Sequence, residues 1–311
     1  MVLAAGTIVD FFDAVAGDYD GWAGGVHRRV AERLVELASP RPGEHCLDIG
    51  CGTGLVAVPV ARMAGPAGMV VGVDASTSML RCAQEARARE GLDNLACRHL
   101  WIDDVVPFAD GLFHLVTFGN SLAYLPDQLA ALHEARRVLG DEGRVAVSVR
   151  RRSLVTPLQE TFFGWLQELS EQHWLSVPRP ESSRAPLGEP SVLSSLLDVA
   201  GFVEPRTTTM VTGSQMLSAA AWIDRMAGLG PWPWALVRTL GRADRRRLEA
   251  ALEHEMERLG DEGFHYTDAF TFAVAVAGPA SSPAGETRTV ATGAEGADDE
   301  DLELVTHRAG R

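Results

Sequence analysis

LDIGCGTG, residues 47–54, follows a short apolar run and precedes a longer one, residues 55–64. Three glycines within five residues, between a strand and a helix, press backbone against a ligand, because a residue without Cβ leaves room and tolerates positive φ. Three ligand classes use such turns. A mononucleotide phosphate loop requires a lysine behind its last glycine, and this chain contains no lysine, all 28 of its basic residues being arginine. The dinucleotide fingerprint Gly-x-Gly-x-x-Gly fits Gly50 and Gly52, but its third position falls on Leu55, and Gly54 comes one residue early.

Two carboxylates sharpen the choice. Asp48, just ahead of the first glycine, suits an ammonium group and repels a pyrophosphate. Asp74 closes the second strand, MVVGVDAS (69–76), and suits the hydroxyls of a ribose. A ribose joined to a cationic amino-acid end, with no phosphate, describes S-adenosylmethionine. Its sulfonium also accords with an acidic protein: the net charge is −14. That charge opposes a phosphate backbone, so nucleic acid is not expected as a partner. The run Arg150-Arg151-Arg152 is too short to reverse this.

At 311 residues, 46% of them hydrophobic, the chain suits one large domain or one domain with elaborations. No apolar run reaches the ~18 residues of a membrane span. MVLAAGTIVDFF lacks the charged start and cleavage site of a signal peptide, so a cytoplasmic protein is expected. Cys46, Cys51, Cys82 and Cys97 form no Cys-x-x-Cys pair and read as reduced packing residues. The nine histidines offer no metal-ligand spacing, and no metal is expected.

Along the chain, VHRRVAERLVELA (26–38) carries an apolar stripe at helical spacing and is stopped by Ser39-Pro40-Arg41-Pro42-Gly43. Five strand-like runs begin at His45, Met69, Leu95, Leu112 and Gly143. Helical stretches alternate with them, the one before the fifth strand ending at Gly140. This alternation predicts a doubly wound, Rossmann-like α/β sheet, mostly parallel, with ligands beyond the carboxyl ends of its strands. Helical segments follow: 156–175, 191–202, and 214–260 broken by GLGPWPW. Between and after them lie FVEPRTTTMVTG and FHYTDAFTFAVAVAG, both β-prone. The organisation expected is an N-terminal helical segment (1–45), a cofactor-binding core (46–150), the rest of the sheet with helical cover insertions (151–278), and a disordered acidic tail (279–311).

Five segments in order, FFDAVAGDYDGW (11–22), LDIGCGTG (47–54), VVGVDAS (70–76), VVPFADGLFHLV (105–116) and LHEARRVLGDEGRVAVSV (132–149), resemble the class I S-adenosylmethionine-dependent methyltransferases of the UbiE type. The likeness is close over residues 11–150 and in outline beyond. It implies a seven-stranded sheet and a small-molecule acceptor from quinone or secondary metabolism. It also implies that Asp48, Gly50, Gly52 and Gly54 line the methionine moiety, with Cys51 and Thr53 in backbone contact. Asp74 would bind the ribose, with Ala75 and Met79 beside the adenine. Asp103 or Asp104 would meet the adenine amino group, Asn120 or Ser121 would border the methyl end, and Tyr19 would approach the sulfonium. The chain departs from the family at WIDDVVPF, where Ile102 stands at the usual aspartate, and at His114, where an aspartate is common.

Candidates for proton transfer are His173, in the segment after the fifth strand, and Tyr124, just past the fourth. Histidines 27, 133, 254 and 307 have charged neighbours and are expected on the surface. Tryptophans 165, 174, 222, 232 and 234 read as helical core or as walls of a pocket for a flat acceptor. Two other functions share these features: a non-methylating enzyme of the same fold, such as a cyclase, and a non-catalytic cofactor-binding scaffold.

Overall fold

Runs of Val, Ile and Leu that are apolar on both faces form central strands of a covered sheet, and HCLDI, MVVGVD and FHLVTFG do so here. The computed structural model describes residues 5–101, 106–151, 157–172, 187–215, 218–228, 230–260 and 265–278. The strands are β1 (His45–Ile49), β2 (Met69–Asp74), β3 (Leu95–His99), β4 (Phe113–Gly119), β5 (Leu139–Arg150), β6 (Phe202–Gln215) and β7 (His265–Ala277). They form one sheet in the order β3-β2-β1-β4-β5-β7-β6. The first five are parallel, and β7 runs antiparallel to both β5 and β6. The order reverses between β1 and β4, which opens a crevice at their carboxyl ends.

Helices α1 (Ala5–Val15), α2 (Trp22–Ala38), α3 (Ala57–Ala64), α4 (Thr77–Glu90) and α5 (Gln128–Val138) accompany the parallel strands. Later come α6 (Pro157–Gln172), α7 (Pro190–Val199), α8 (Ala219–Ala227), α9 (Pro231–Thr239) and α10 (Arg242–Leu259). One sheet face is covered by α5 and α7, through Leu132, Ala135, Leu193 and Leu197. The other is covered by α2 and α3, through Val30, Leu34, Ala57 and Val60. Helices α6, α8, α9 and α10 build a separate core around Phe162, Trp222, Leu248 and Met256. Among the described residues no helix is long and apolar enough to cross a membrane.

Two local features differ from the sequence expectation, and a third departs from a regular strand. Helix α5 ends at Val138, two residues before Gly140, because Leu139 already pairs with Phe113 of β4; a register shift between Phe113 and Leu115 and a positive φ at Glu142 absorb the difference. GLGPWPW does not merely break a helix. Pro231 opens α9 behind Gly230, at the position where a missing N–H costs nothing. In β6, Pro205 lies in a bulge between Val203 and Arg206, with Glu204 at φ +52°, which is how a strand accommodates proline. The expected tail from residue 279 lies outside the described residues.

Candidate functional site

The glycine turn joins β1 to α3. Gly50, Gly52 and Gly54 all have positive φ. At Gly50 the need is also steric, since a Cβ would lie 2.4 Å from that of Ser121. The turn's own N–H groups are largely committed: Gly50 and Cys51 donate to Val73 O (2.8 and 2.9 Å), Gly54 to Cys51 O (2.9 Å), and Gly52 to Asp74 Oδ2 (2.8 Å). This differs from a cradle that offers free N–H donors to phosphate. The turn is shaped to let a ligand approach rather than to bind an anion.

Asp74 closes this arrangement from β2. Its Oδ1 accepts from Ser76 N (2.8 Å) while Oδ2 holds Gly52. The cap of α4 is Ser76, whose Oγ accepts from Met79 N (3.1 Å) and donates to Asp13 Oδ1 (2.6 Å). Burial raises the Asp74 carboxyl above its usual range, and the backbone donors act against that. Asp13 behaves oppositely: burial favours its neutral form, but the hydrogen bonds from Ser76 and Ser78, with Arg81 nearby, leave it below the usual range.

Asp48, on β1, is 2% exposed. Its Oδ1 accepts from Thr117 Oγ1 at 2.7 Å. Its Oδ2 is enclosed with no hydrogen-bond partner among the described residues. Burial pushes this carboxyl up to about 7; the Thr117 hydroxyl and the backbone N–H of Ala57 oppose the shift, and the charge of Asp74 adds to it. A carboxylate left half-satisfied beside a cleft is costly for the fold alone. It suits a ligand that brings a cation.

Three clefts meet at the switch point. One, of about 750 Å³ including its open mouth, runs past Ile8, Asp74, Ala75, Met79, Leu100 and Trp101. A smaller one, about 400 Å³, follows the turn from Asp48 through Thr53. The third, again about 750 Å³, is walled by Phe11, Phe12, Trp22, Tyr124 and Phe270, with His27, Arg150, Arg225 and Asp268 among them. Tyr19 and Asn120 line all three. Asn120 sits at φ +56°, its N–H held by Ser148 O (3.1 Å) and Oγ (3.0 Å), and its side-chain oxygen is buried without a partner among the described residues. Asparagine takes this left-handed conformation more readily than other side chains, so what singles out Asn120 is its unpartnered buried oxygen where the clefts adjoin.

This chain matches the ubiE/COQ5 methyltransferase family over residues 1–172. It belongs to that family. A nocamycin O-methyltransferase of Saccharothrix syringae is 34% identical over 207 residues, 63% of this chain and 72% of the relative. A ubiquinone/menaquinone biosynthesis C-methyltransferase UbiE of Cupriavidus taiwanensis is 36% identical over 147 residues, 46% of this chain and 60% of the relative. Among solved structures, the YcgJ protein of Bacillus subtilis aligns with a TM-score of 0.53 at 17% identity, over 81% of this chain and 99% of that one. The [4+2]-cyclase SpnF aligns at 0.52 and 18%, over 87% and 94%. These last two show the fold alone, and a cyclase among methyltransferase folds illustrates that fold does not fix reaction. The sequence family does: the protein is an S-adenosylmethionine-dependent methyltransferase.

Within this methyltransferase, the residues singled out from the sequence gather at the three clefts. Asp48, Gly50, Cys51, Gly52 and Thr53 border the small one, and Gly50, Gly52, Asp74, Ala75, Met79 and Ser121 border the first. Gly54 lies behind the turn, packed toward Val58 and Ala83. The Ser121 hydroxyl donates to Ile49 O, so it fastens β1 to the loop after β4. Tyr124 lines the first and third clefts and meets Phe12 edge-on at 5.2 Å. Thr53 Oγ1 donates to Asp20 Oδ1, tying the Tyr19-Asp20 turn to the glycine turn. Asp103, Asp104 and His173 lie outside the described residues. His114 is exposed at the amino end of β4, where its Nδ1 accepts from His45 N at 3.0 Å.

The expectation that His27 is a surface residue does not hold. Its ring stacks on Tyr19 at 4.3 Å and 6°, and it lines two of the clefts. Burial drives its pKa down to about 4; Asp268 pulls upward, while Arg225 and Arg150 push the same way as burial. The sequence does carry a signal: residues 27, 30, 31 and 34 share a helix face. The charged neighbours Arg28 and Arg29 hide it. Tyr19 in turn is held neutral, burial pushing its hydroxyl well above the tyrosine range. Of the five late tryptophans, Trp222 is core and Trp165 packs against it; Trp234 packs on Phe11 with Arg238 over its ring. None of these three lines a described cleft. Trp174 and the side chain of Trp232 lie outside the described residues. The aromatic walls come instead from Phe11, Phe12, Tyr19 and Trp22 of the N-terminal segment, with Tyr124 and Phe270.

Proposed function

We propose that this methyltransferase acts on a small aromatic acceptor of the quinone or natural-product type. The observation that carries the reading is the sharing of Tyr19 and Asn120 by all three clefts, which sets the cofactor cleft beside the aromatic cavity. The names of the relatives, a nocamycin and a quinone-pathway methyltransferase, point the same way. S-adenosylmethionine, when bound, supplies an already activated methyl group, so positioning and exclusion of water account for much of the rate.

The chain's own residues divide that work. Asp48 receives the ammonium of the amino-acid end, a role that fits its unpaired buried oxygen. Asp74 accepts from the ribose hydroxyls with the lone pairs that Gly52 and Ser76 leave free. Ala75, Met79 and Trp101 flank the base, and Asp103 or Asp104 meets its amino group. Gly50, Cys51, Gly52, Thr53 and Gly54 shape the methionine channel. Asn120 and Ser121 border the methyl end, and Tyr19, its ring fixed by His27, faces the sulfonium. Tyr124 is the proposed proton-handling group beside the acceptor, with His173 the alternative. Residues 46–150 serve the cofactor and residues 151–278 cover the acceptor.

The net charge of −14 disfavours nucleic acid as acceptor, and four free cysteines accord with a cytoplasmic location. The test is methyl transfer from cofactor labelled on the methyl group, offered in parallel to hydroxylated naphthoquinols and anthraquinones and to bulk tRNA. Label in the solvent-extracted aromatic product is expected. Label in the tRNA would contradict the reading.

A further inference from the structure

Asn120 Oδ1 and His27 Nδ1 are enclosed polar atoms with no hydrogen-bond partner among the described residues. Both residues line the aromatic cavity and the small cleft along the glycine turn, so they stand where cofactor and acceptor meet. They reach that place from different elements, His27 from α2 and Asn120 from just beyond β4. The methyl-transfer reading gives His27 only the task of fixing Tyr19, ring on ring at 4.3 Å. A phenyl ring would serve that task as well.

Both atoms can accept a hydrogen bond. The Asn120 oxygen offers lone pairs alone. A neutral imidazole carries one lone pair and one N–H, and the tautomer with its proton on Nε2 leaves the lone pair on Nδ1. Burial keeps this ring neutral, with Arg225 and Arg150 acting in the same sense against Asp268, and the neighbouring Tyr19 is neutral too. A buried acceptor without a donor costs free energy, and buried polar atoms are ordinarily paired. The cavity walls nearby are apolar at Phe11, Phe12 and Phe270, while Arg150 and Arg225 are turned to Asp268. The donors that suit Asn120 and His27 arrive with a ligand.

We propose that the acceptor is an aromatic ring carrying two hydroxyl groups, one donating to Asn120 Oδ1 beside the methyl end and the other to His27 Nδ1. His27 is thereby a specificity-determining residue. This rests on the methyltransferase reading of the clefts and narrows the aromatic acceptor within it. A ring that lacks one hydroxyl leaves an enclosed acceptor unpaired, which is how a hydrogen-bonding site rejects an analogue. Such a ring binds less tightly although it is the more apolar of the two.

The test measures 2,3- and 1,3-dihydroxynaphthalene beside 2-naphthol by calorimetry on the full chain saturated with S-adenosylhomocysteine. The better of the two diols should bind the wild type at least ~10-fold more tightly than 2-naphthol, the cost of one acceptor left unpaired. His27→Phe keeps a ring on Tyr19 and removes the nitrogen. Asn120→Gly removes the oxygen and takes the φ of +56° without strain. Each should shrink the preference to about twofold or less, because one acceptor then remains for one hydroxyl, and 2-naphthol affinity should stay within about threefold. His27→Gln, which returns an acceptor oxygen, serves if His27→Phe does not fold, and should keep part of the preference. S-adenosylhomocysteine affinity, measured on every variant, separates the two claims. Its absence in the wild type overturns the cofactor reading. Normal cofactor binding with equal affinity for diol and 2-naphthol, with no binding of either at millimolar concentration, or with a preference that survives both replacements, overturns the dihydroxy proposal alone.

Discussion

Asp48→Asn is expected to make the protein more stable and a worse binder of its cofactor. The carboxyl of Asp48 is buried, and its pKa rises from an ordinary 3.8 to about 7. Between those values the folded chain holds a proton that the unfolded chain has lost, so stability falls as pH rises through this window and stays low above it. A tenfold change in an acid's dissociation constant is worth about 1.4 kcal/mol, so at pH 8 the buried charge costs on the order of a few kcal/mol. Asparagine keeps the oxygen that accepts from Thr117 and removes the charge. Its midpoint at pH 8 should rise by roughly 5 °C or more, at 2–4 °C per kcal/mol for a chain of this size. Near pH 4, where the wild-type carboxyl is protonated, the difference should largely vanish.

The same substitution removes the proposed partner of the ammonium group. S-adenosylhomocysteine affinity should fall by ~10-fold or more, within the range for a charged hydrogen bond. In the wild type, affinity should weaken as pH drops below about 7, because protonation removes the charge the ligand seeks. Thermal melts and calorimetry at pH 6 and 8 check both halves. A variant that is less stable at pH 8 and binds unchanged would remove Asp48 from the site.

Asp74→Ala is expected to abolish measurable binding, a loss of ~100-fold or more. Two contributions combine. The side chain holds Gly52 N and Ser76 N at 2.8 Å each, so its removal leaves the glycine turn without its clamp. It also supplies the proposed ribose contact, and losing a charged hydrogen bond costs ~1.5–3 kcal/mol by itself. Unlike Asp48→Asn, this change should also lower the thermal midpoint. Calorimetry beside a melt separates the outcomes: retained affinity within about threefold would show that the turn and ribose do not depend on Asp74.

The parts of this architecture that sequence reveals are those with a local cause. The parallel strands are short apolar runs alternating with helices, and the glycine turn between β1 and α3 sits where the pattern changes. Asp48 and Asp74 are legible because each lies at the end of a strand next to that turn. Long-range constructions are not. Arg150, Arg225 and Asp268 come together only through the antiparallel pairing of β5 with β7 and the packing of α8, which no local period encodes. His27 faces inward although its neighbours are charged, since one residue along a helix turns the side chain by about 100°. The late tryptophans are ambiguous for a physical reason: a buried ring looks alike in sequence whether it fills a core, as Trp222 does, or walls a pocket. Proline in GLGPWPW reads as a break until the first turn of α9 absorbs it.

The central claim is that the glycine turn with its two carboxylates serves S-adenosylmethionine and not a dinucleotide. Calorimetric titration of the purified wild type with S-adenosylhomocysteine, beside NADH under the same conditions, tests it most directly. Micromolar binding of the first and none of the second is the predicted result. NADH binding, with S-adenosylhomocysteine inert, would contradict the account.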